Sequence, residues 1–265
     1  MTLAAWFVLL ALAILIWTGP LWRPRGLPGV MRARPWALGH RGVRGSLPEN
    51  TIAAFRAALD AGLDGLETDV QRTRDGALVL VHDFQVAGLR VCDASEAELR
   101  AAMPQVATLA ELLALVREWP GTLLNVELKT VGWNDRRLAT AVAAALVASG
   151  LGDRLVVSSF SFVALLRFRL RAPRLRTAYL WSEDPRVPWP GRRPWPAPLL
   201  HVDALHPHHP AVTPERVARW KRRGLTLNTW TVNEPADAAR VLAAGVDGVM
   251  GDDPDALLRA LGRAT

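Results

Sequence analysis

Trp36-Ala37-Leu38-Gly39-His40-Arg41-Gly42 opens the stretch 36–83, followed by Pro48-Glu49-Asn50-Thr51, by Gly65-Leu66-Glu67-Thr68-Asp69-Val70 and by Leu78-Val79-Leu80-Val81-His82-Asp83. Short apolar runs here end in, or carry, ionisable side chains. Glu67 and Asp69 stand two apart in a strand-like run, so both carboxylates face one side of it. Their neighbours Leu63, Leu66 and Val70 argue for a buried sheet, where unpaired charge is costly. Paired hard oxygens on one face repel unless a cation or a proton lies between them, and a divalent metal is the natural occupant. His40 and His82 close two of the runs, which supplies an acid, a base and a Lewis-acid site in one stretch.

Outward from this stretch, strand-like runs alternate with helix-period segments, the signature of repeated βα units. Asn50 or Thr51 is expected to cap a helix through Leu59, with Pro48 fixing the turn before it. Thr73-Arg74-Asp75-Gly76 is a turn too short for a crossover helix, which leaves either a hairpin or a return outside the sheet. Further strands are expected over 122–129, 154–158, 176–180, 201–206, 225–232 and 246–250, and helices over 109–118, 137–149, 160–170, from 213, and 234–244. The first of these strands sets Asn125, Glu127 and Lys129 on one face, which in a parallel barrel is the lumen. Residues 184–198 are proline-rich, with Trp189, Arg192, Arg193 and Trp195 between the prolines. They read as an extended loop without helix, or as a rim that touches membrane or substrate. Eight or nine strands and a single composition regime make the expected fold α/β, a TIM-type (β/α)8 barrel, for which 265 residues suffice.

The net charge of +7 comes from arginine, since Lys129 and Lys221 are the only lysines. No basic stripe interleaved with aromatics appears, so no nucleic-acid partner is expected. A cationic surface also suits anionic lipid headgroups or phosphate-bearing substrates. Cys92 is the single cysteine, which excludes an intrachain disulfide and a thiolate metal cage. His206, His208 and His209 lie between prolines, which suits an irregular loop better than a zinc site. Trp230 reads equally as a core plug or a substrate wall.

From Leu3 to Trp17 the chain is uninterrupted and apolar, and with residues 18–22 it reaches about 20 residues, the length of a membrane span. No lysine or arginine precedes the run, which favours an anchor over a cleaved signal. Arg23, Arg25, Arg32 and Arg34 follow it and place the body on the cytoplasmic side, with Trp17 and Trp22 at the interface. The expected organisation is a transmembrane anchor over 1–22, a linker over 23–35 and a barrel domain over 36–265, in a single-pass protein of the cell membrane.

Together, His40-Arg41-Gly42, Pro48-Glu49-Asn50-Thr51, Glu67-x-Asp69-Val70, Thr73, Asp75-Gly76 and His82-Asp83 resemble the signature of the glycerophosphodiester phosphodiesterase family, whose barrel is similar to phosphatidylinositol-specific phospholipase C. The resemblance continues through Val126-Glu127-Leu128-Lys129, Ser159-Phe160, His206-Pro207, Trp230-Thr231-Val232-Asn233 and Gly245-Val246-Asp247-Gly248. It implies a TIM-like barrel with the site at the carboxyl ends of the strands. By position it implies Glu67, Asp69 and Glu127 as ligands of a divalent cation, Mg2+ or Ca2+, with Glu49 a further ligand. It implies His40 and His82 as general base and acid, Arg41 and Lys129 as holders of the phosphodiester, and Trp230 as a substrate contact. Products would be sn-glycerol 3-phosphate and an alcohol, reached in similar enzymes through a cyclic phosphate.

Two departures from the family pattern stand out. The segment from Phe84 to Val106 is shorter than the insertion many bacterial members carry and lacks an Arg-Thr-Thr, which implies an open rim. Gly251-Asp252-Asp253-Pro254 replaces a threonine common near the chain end and reads as structural. An open rim with a membrane anchor admits a lysophospholipase D-like activity on lysophospholipids as the alternative. A non-catalytic, membrane-tethered phosphodiester-binding protein is the alternative outside enzymes.

Overall fold

The computed structural model describes residues 3–27, 35–130 and 137–263. Helix α1 (Leu3–Thr18) precedes β1 (Trp36–His40), α2 (Ile52–Asp60), β2 (Gly65–Arg72) and β3 (Leu78–Leu80). A small hairpin, β4 (Gln85–Val86) and β5 (Leu89–Arg90), leads to α3 (Glu96–Ala102), α4 (Leu109–Glu118), β6 (Leu123–Leu128) and α5 (Leu138–Ser149). There follow β7 (Leu155–Ser159), α6 (Phe162–Arg171), β8 (Arg176–Trp181), α7 (Pro196–Leu200), β9 (Ala204–Pro207) and α8 (Pro214–Lys221). The chain closes with β10 (Thr226–Thr229), α9 (Pro235–Ala243), β11 (Gly248–Gly251) and α10 (Pro254–Ala260).

Eight strands, β1, β2 and β6 to β11, are all parallel to their neighbours, and pairing of β1 with both β2 and β11 closes the ring. This is the expected TIM-type barrel. Side chains alternate across each strand. Leu66, Val70, Leu124, Val126 and Leu128 face outward into the main core against the helices. Trp36, Leu38, Leu123, Val156, Ala178, Ala204 and Met250 form a second cluster inside the barrel. Leu27 joins this inner cluster from the segment before β1. The same alternation carries His40, Glu67, Asp69 and Glu127 to the inner side at the carboxyl ends of their strands.

The short turn after β2 makes a hairpin. β3 runs antiparallel to β2, with Val70 opposite Leu80 and Arg72 opposite Leu78. Gly76 supplies the positive φ, +100°, that the turn needs. The return strand brings the chain back to the level of Asp69, whose carbonyl accepts from Val81 N at 3.0 Å. His82 therefore lies beside the carboxyl end of β2 without belonging to a barrel strand.

Several expectations are corrected. The proline-rich segment is not free of helix: it holds a short 3-10 turn at Trp189–Arg192 and the helix α7. The strand expected from residue 201 starts at Ala204, because His201 caps α7 in a left-handed conformation, φ 50°. Of the two cap candidates for α2, Thr51 is the one used, accepting from Ala54 N, as the sequence allowed.

The transmembrane helix expected over 1–22 is also corrected. α1 has 16 residues, about 24 Å at 1.5 Å per residue, against about 30 Å of bilayer hydrocarbon. No helix among the described residues is long and apolar enough to cross a membrane. Gly19-Pro20 ends the helix, and Trp22 is buried against the barrel, its indole N–H donating to Val202 O at 3.0 Å. Trp17 donates likewise to Leu199 O at 3.0 Å. The start of the expected linker is tied down too. Arg25 forms a bidentate pair with the buried Asp203 carboxylate, 2.8 Å on each arm, and donates to Leu175 O. Arg32 and Arg34 lie outside the described residues.

Candidate active site

β1 delivers His40 and Arg41 to the mouth of the barrel. Arg41 turns into the left-handed region, φ 58°, and Gly42 follows at φ +88°. A Cβ on Gly42 would sit 2.6 Å from the Ala54 carbonyl carbon, so only glycine lets the loop pass over α2. The turn aims Arg41 across the site: Nε lies 3.0 Å from Asp69 Oδ2, and Nη1 is 3.0 Å from Glu49 Oε1. Its backbone N–H donates to Glu67 Oε2 at 3.1 Å.

β2 and β6 supply the carboxylates. Their register sets Glu67 beside Asn125 and Asp69 beside Glu127. One oxygen from each of Glu67, Asp69 and Glu127 lies within 4.8 Å of the others. Lys129 Nζ lies 3.1 Å from Glu127 and 3.5 Å from Asp69. Asn50, also left-handed at φ 57°, donates from Nδ2 to Asp69 Oδ2 at 3.0 Å and accepts from Thr68 Oγ1 at 2.8 Å.

These contacts fix the charges. Burial, with Asp69 and Glu127 close by, pushes the Glu67 carboxyl well above its ordinary range. Burial raises Glu127 as well, against the pull of Lys129. Burial also opposes the charge on Asp69, but Lys129 and Arg41 outweigh it and hold Asp69 below its usual value. Lys129 and Arg41 are held charged by the same carboxylates against their own desolvation.

A hard divalent cation fits this donor set. Buried Asp69 Oδ1 and Asn125 Oδ1 have no hydrogen-bond partner among the described residues, and three clustered carboxylates are the ligands such cations take. Glu49 stands apart from the cluster, contrary to its expected role as a further ligand. Its two oxygens are engaged by Arg41 and Arg44, each at 3.0 Å.

Both histidines line the same cavity of about 430 Å³ as Glu67, Glu127 and Lys129. His40 Nδ1 lies 2.7 Å from Asp252 Oδ1, and Asp252 is steadied by Asn233 Nδ2 at 2.8 Å. His82 Nδ1 lies 2.8 Å from Asp83 Oδ1. A carboxylate at Nδ1 holds the proton there and leaves Nε2 for the substrate. Gln71 fixes the His82 segment from inside the barrel, donating to Val81 O at 2.9 Å and Asp83 O at 2.8 Å.

Apolar groups wall the far side. Trp230 meets Phe160 edge-on at 5.6 Å and donates from its indole to His206 O at 2.9 Å. Trp230 is thus a wall of the cavity. His206 is fully buried, and burial drives its pKa down to about 3, so it is neutral. Asp252, Asn125, Gln71 and Phe160 are site residues that sequence reasoning did not assign. Asn125 had a visible signal, the same strand face as Glu127, whereas Asp252 is far from His40 in sequence.

The chain is similar to known proteins. Residues 40–256 match the model of the Glycerophosphoryl diester phosphodiesterase family. A glycerophosphodiester phosphodiesterase of Caldanaerobacter subterraneus is 31% identical over 83% of this chain and 95% of its own length. One from Bacillus altitudinis is 30% identical over 82% and 94%. A crystal structure described as a putative glycerophosphoryl diester phosphodiesterase, from Silicibacter pomeroyi, superposes with a TM-score of 0.77 at 30% identity, covering 89% of this chain and 97% of that one. An Oleispira antarctica phosphodiesterase solved with the product sn-glycerol-3-phosphate superposes at 0.69 with 25% identity, covering 86% and 97%. With its sequence matched from His40 to the tenth helix and its barrel superposed, the chain belongs to the glycerophosphoryl diester phosphodiesterase family and is an enzyme that hydrolyses glycerophosphodiesters.

Proposed function

We propose that the chain releases sn-glycerol 3-phosphate and an alcohol in a divalent-cation-dependent reaction, with His40 and His82 as the proton-transfer pair. One observation carries this reading: two carboxylate-oriented histidines open onto the same cavity as the Glu67, Asp69 and Glu127 cluster. Glu67, Asp69 and Glu127 hold the cation, and Asn125 offers a further oxygen. When bound, a cation of this kind, Mg2+ or Ca2+, polarises a phosphoryl oxygen and neutralises charge that develops there. Arg41 and Lys129 neutralise the phosphodiester from the rim of the cluster.

The proton path follows from the tautomers. His40 Nε2 takes the proton of the neighbouring glycerol hydroxyl as its oxygen bonds to phosphorus. The bond from phosphorus to the alcohol oxygen breaks, and His82, which enters this step as the imidazolium with Nδ1–H on Asp83, gives that oxygen its Nε2 proton. Water then opens the cyclic phosphate with the two roles exchanged.

The test uses the full chain with glycerophosphocholine and glycerophosphoethanolamine, with and without Mg2+ or Ca2+, beside Glu67→Ala. Metal-dependent glycerol 3-phosphate release, lost in the variant, is the expected result. Equal release after chelation would overturn metal dependence.

The apolar wall of Phe160, Leu180, Val187, Trp230 and Met250 favours a second reading, hydrolysis of lysophospholipids. Lysophosphatidic acid released from lysophosphatidylcholine faster than glycerol 3-phosphate from glycerophosphocholine would establish it. The exposed apolar surface of α1, Trp6 through Trp17, supports attachment of the protein to a membrane surface.

A further inference from the structure

The helices on the outside of the barrel do not cover it evenly. α7 has only five residues, whereas α5 has twelve and α6 ten. Between α7 and α8 the wall is therefore thin. A groove of about 420 Å³ opens there over Trp181 and Leu205 of the barrel strands. It ends at Thr18, the last residue of α1.

Its lining is specific. Arg193, Arg216, Arg219 and Arg223 border it, and among the described residues no Asp or Glu does. Glu183, just outside, engages Arg193 and Arg216 at 3.0 Å each. Arg219 is exposed and has no ion pair or hydrogen bond among the described residues. Arg223 lies 5.4 Å above the Trp22 ring and donates to the Thr18 carbonyl at the foot of α1.

The floor is aromatic. Trp181 meets Trp220 edge-on at 5.7 Å, with the Arg216 guanidinium 5.6 Å from the Trp181 ring. The Trp181 indole N–H is buried without a hydrogen-bond partner among the described residues. Arginines above an aromatic floor suit a ligand with an anionic head and an apolar body. A small soluble anion leaves the tryptophans unused, whereas a lipid uses both. The groove is also continuous with the exposed apolar surface of α1.

We propose that this groove binds the phosphate headgroup of an anionic phospholipid at a bilayer surface, with the upper acyl chain against Trp22, Trp195 and Trp220. The site is separate from the catalytic cavity. It deepens the membrane-attachment reading, because a headgroup reaches the groove only when the foot of α1 lies at a bilayer.

The test is flotation of the full chain with vesicles of phosphatidylcholine alone and of phosphatidylcholine mixed with phosphatidylglycerol. Neutral vesicles read α1 by itself, and the gain on adding phosphatidylglycerol reads the groove. The expected gain is about fivefold in affinity per arginine engaged. It falls at least about fivefold in Arg219→Glu, whose hydrolysis of glycerophosphocholine, unchanged, reports an intact fold. Arg193→Gln with Arg216→Gln lowers the gain from the other end of the groove. Binding only to the mixed vesicles would overturn attachment through α1 and leave the groove supported. Equal binding to both vesicles, binding to neither, or a gain untouched by Arg219→Glu would overturn the groove. Release from the mixed vesicles by inorganic phosphate at constant ionic strength would also overturn it, by showing a site for small anions.

Discussion

His40 Nδ1 lies 2.7 Å from Asp252 Oδ1, across 212 residues of sequence, and the contact sets which nitrogen of the imidazole faces the substrate. Asp252 is held in place by reciprocal bonds with Asn233, 2.8 Å to its carboxylate and 3.0 Å from its own N–H. Asp252→Asn replaces an acceptor with an amide that can hold the wrong tautomer. The expected result is a fall in kcat of roughly 10²-fold with KM little changed. Steady-state kinetics on glycerophosphocholine check it, and an unchanged kcat would show that Asp252 only packs.

The carboxylate cluster predicts a pH effect on stability without metal. Glu67 and Glu127 have raised pKa values, with burial the first cause in each, so both bind their protons more tightly folded than unfolded. As pH rises from the ordinary carboxylate range through those raised values, the unfolded chain has released protons that the folded chain keeps. Stability falls across that window. Asp69 behaves oppositely: its depressed pKa gives stability that is lost only on stronger acidification, through its folded value. Melting curves in chelator should therefore decline as pH climbs toward neutrality. Glu67→Gln should flatten the decline, and saturating Mg2+ or Ca2+, which binds the ionised cluster, should abolish it. A profile in chelator that Glu67→Gln leaves unaltered would sink this account.

The barrel and the cluster were legible because both rest on period-two patterns. Glu67 with Asp69, and Asn125 with Glu127 and Lys129, reach the lumen by strand alternation alone, and the parallel register of β2 and β6 then makes them neighbours. Contacts across the fold left no local trace. Asp252 reaches His40 only because β11 pairs with β1, and Gln71 reaches the His82 loop only because β3 folds back. Glu49, a further ligand only by the family resemblance, lies outside the Glu67, Asp69 and Glu127 group because the left-handed turn at Arg41 puts a guanidinium between them. The apolar amino-terminal run was readable as a helix. Its end was not, since Trp22 and Arg25 bind the barrel through partners near residue 200.

That packing makes Arg25 a structural residue rather than a topology signal. Asp203 is fully buried, and beyond Arg25 it keeps the Thr177 N–H at 3.0 Å and Arg169 at 3.7 Å. Arg25→Ala removes both short arms of the pair and leaves the carboxylate short of charge. The expected cost is about 2 kcal/mol, moderated by partial exposure of Arg25. It should lower Tm by roughly 4–8 °C, read by calorimetry on the full chain. Truncation ahead of Pro35 should cost at least as much, since it also removes Trp22 and Leu27 from the core.

Glu127 and Glu49 play two roles where the family resemblance implied one. Glu127 Oε1 faces Lys129 within the cluster, whereas Glu49 faces Arg41 and Arg44 outside it. Glu127→Gln should lower affinity for Mg2+ or Ca2+ by roughly 10–100-fold or more, because the lost charge belongs to the donor set. Glu49→Gln should leave that affinity nearly unaltered. It releases one hydrogen bond that orients Arg41, so its effect falls on substrate binding, with a rise in KM of roughly 10-fold. Isothermal titration with the metal alone, beside KM for glycerophosphocholine, distinguishes the two. A loss of metal affinity in Glu49→Gln equal to that in Glu127→Gln would return Glu49 to the ligand set and require the Arg41 loop to move when the cation binds.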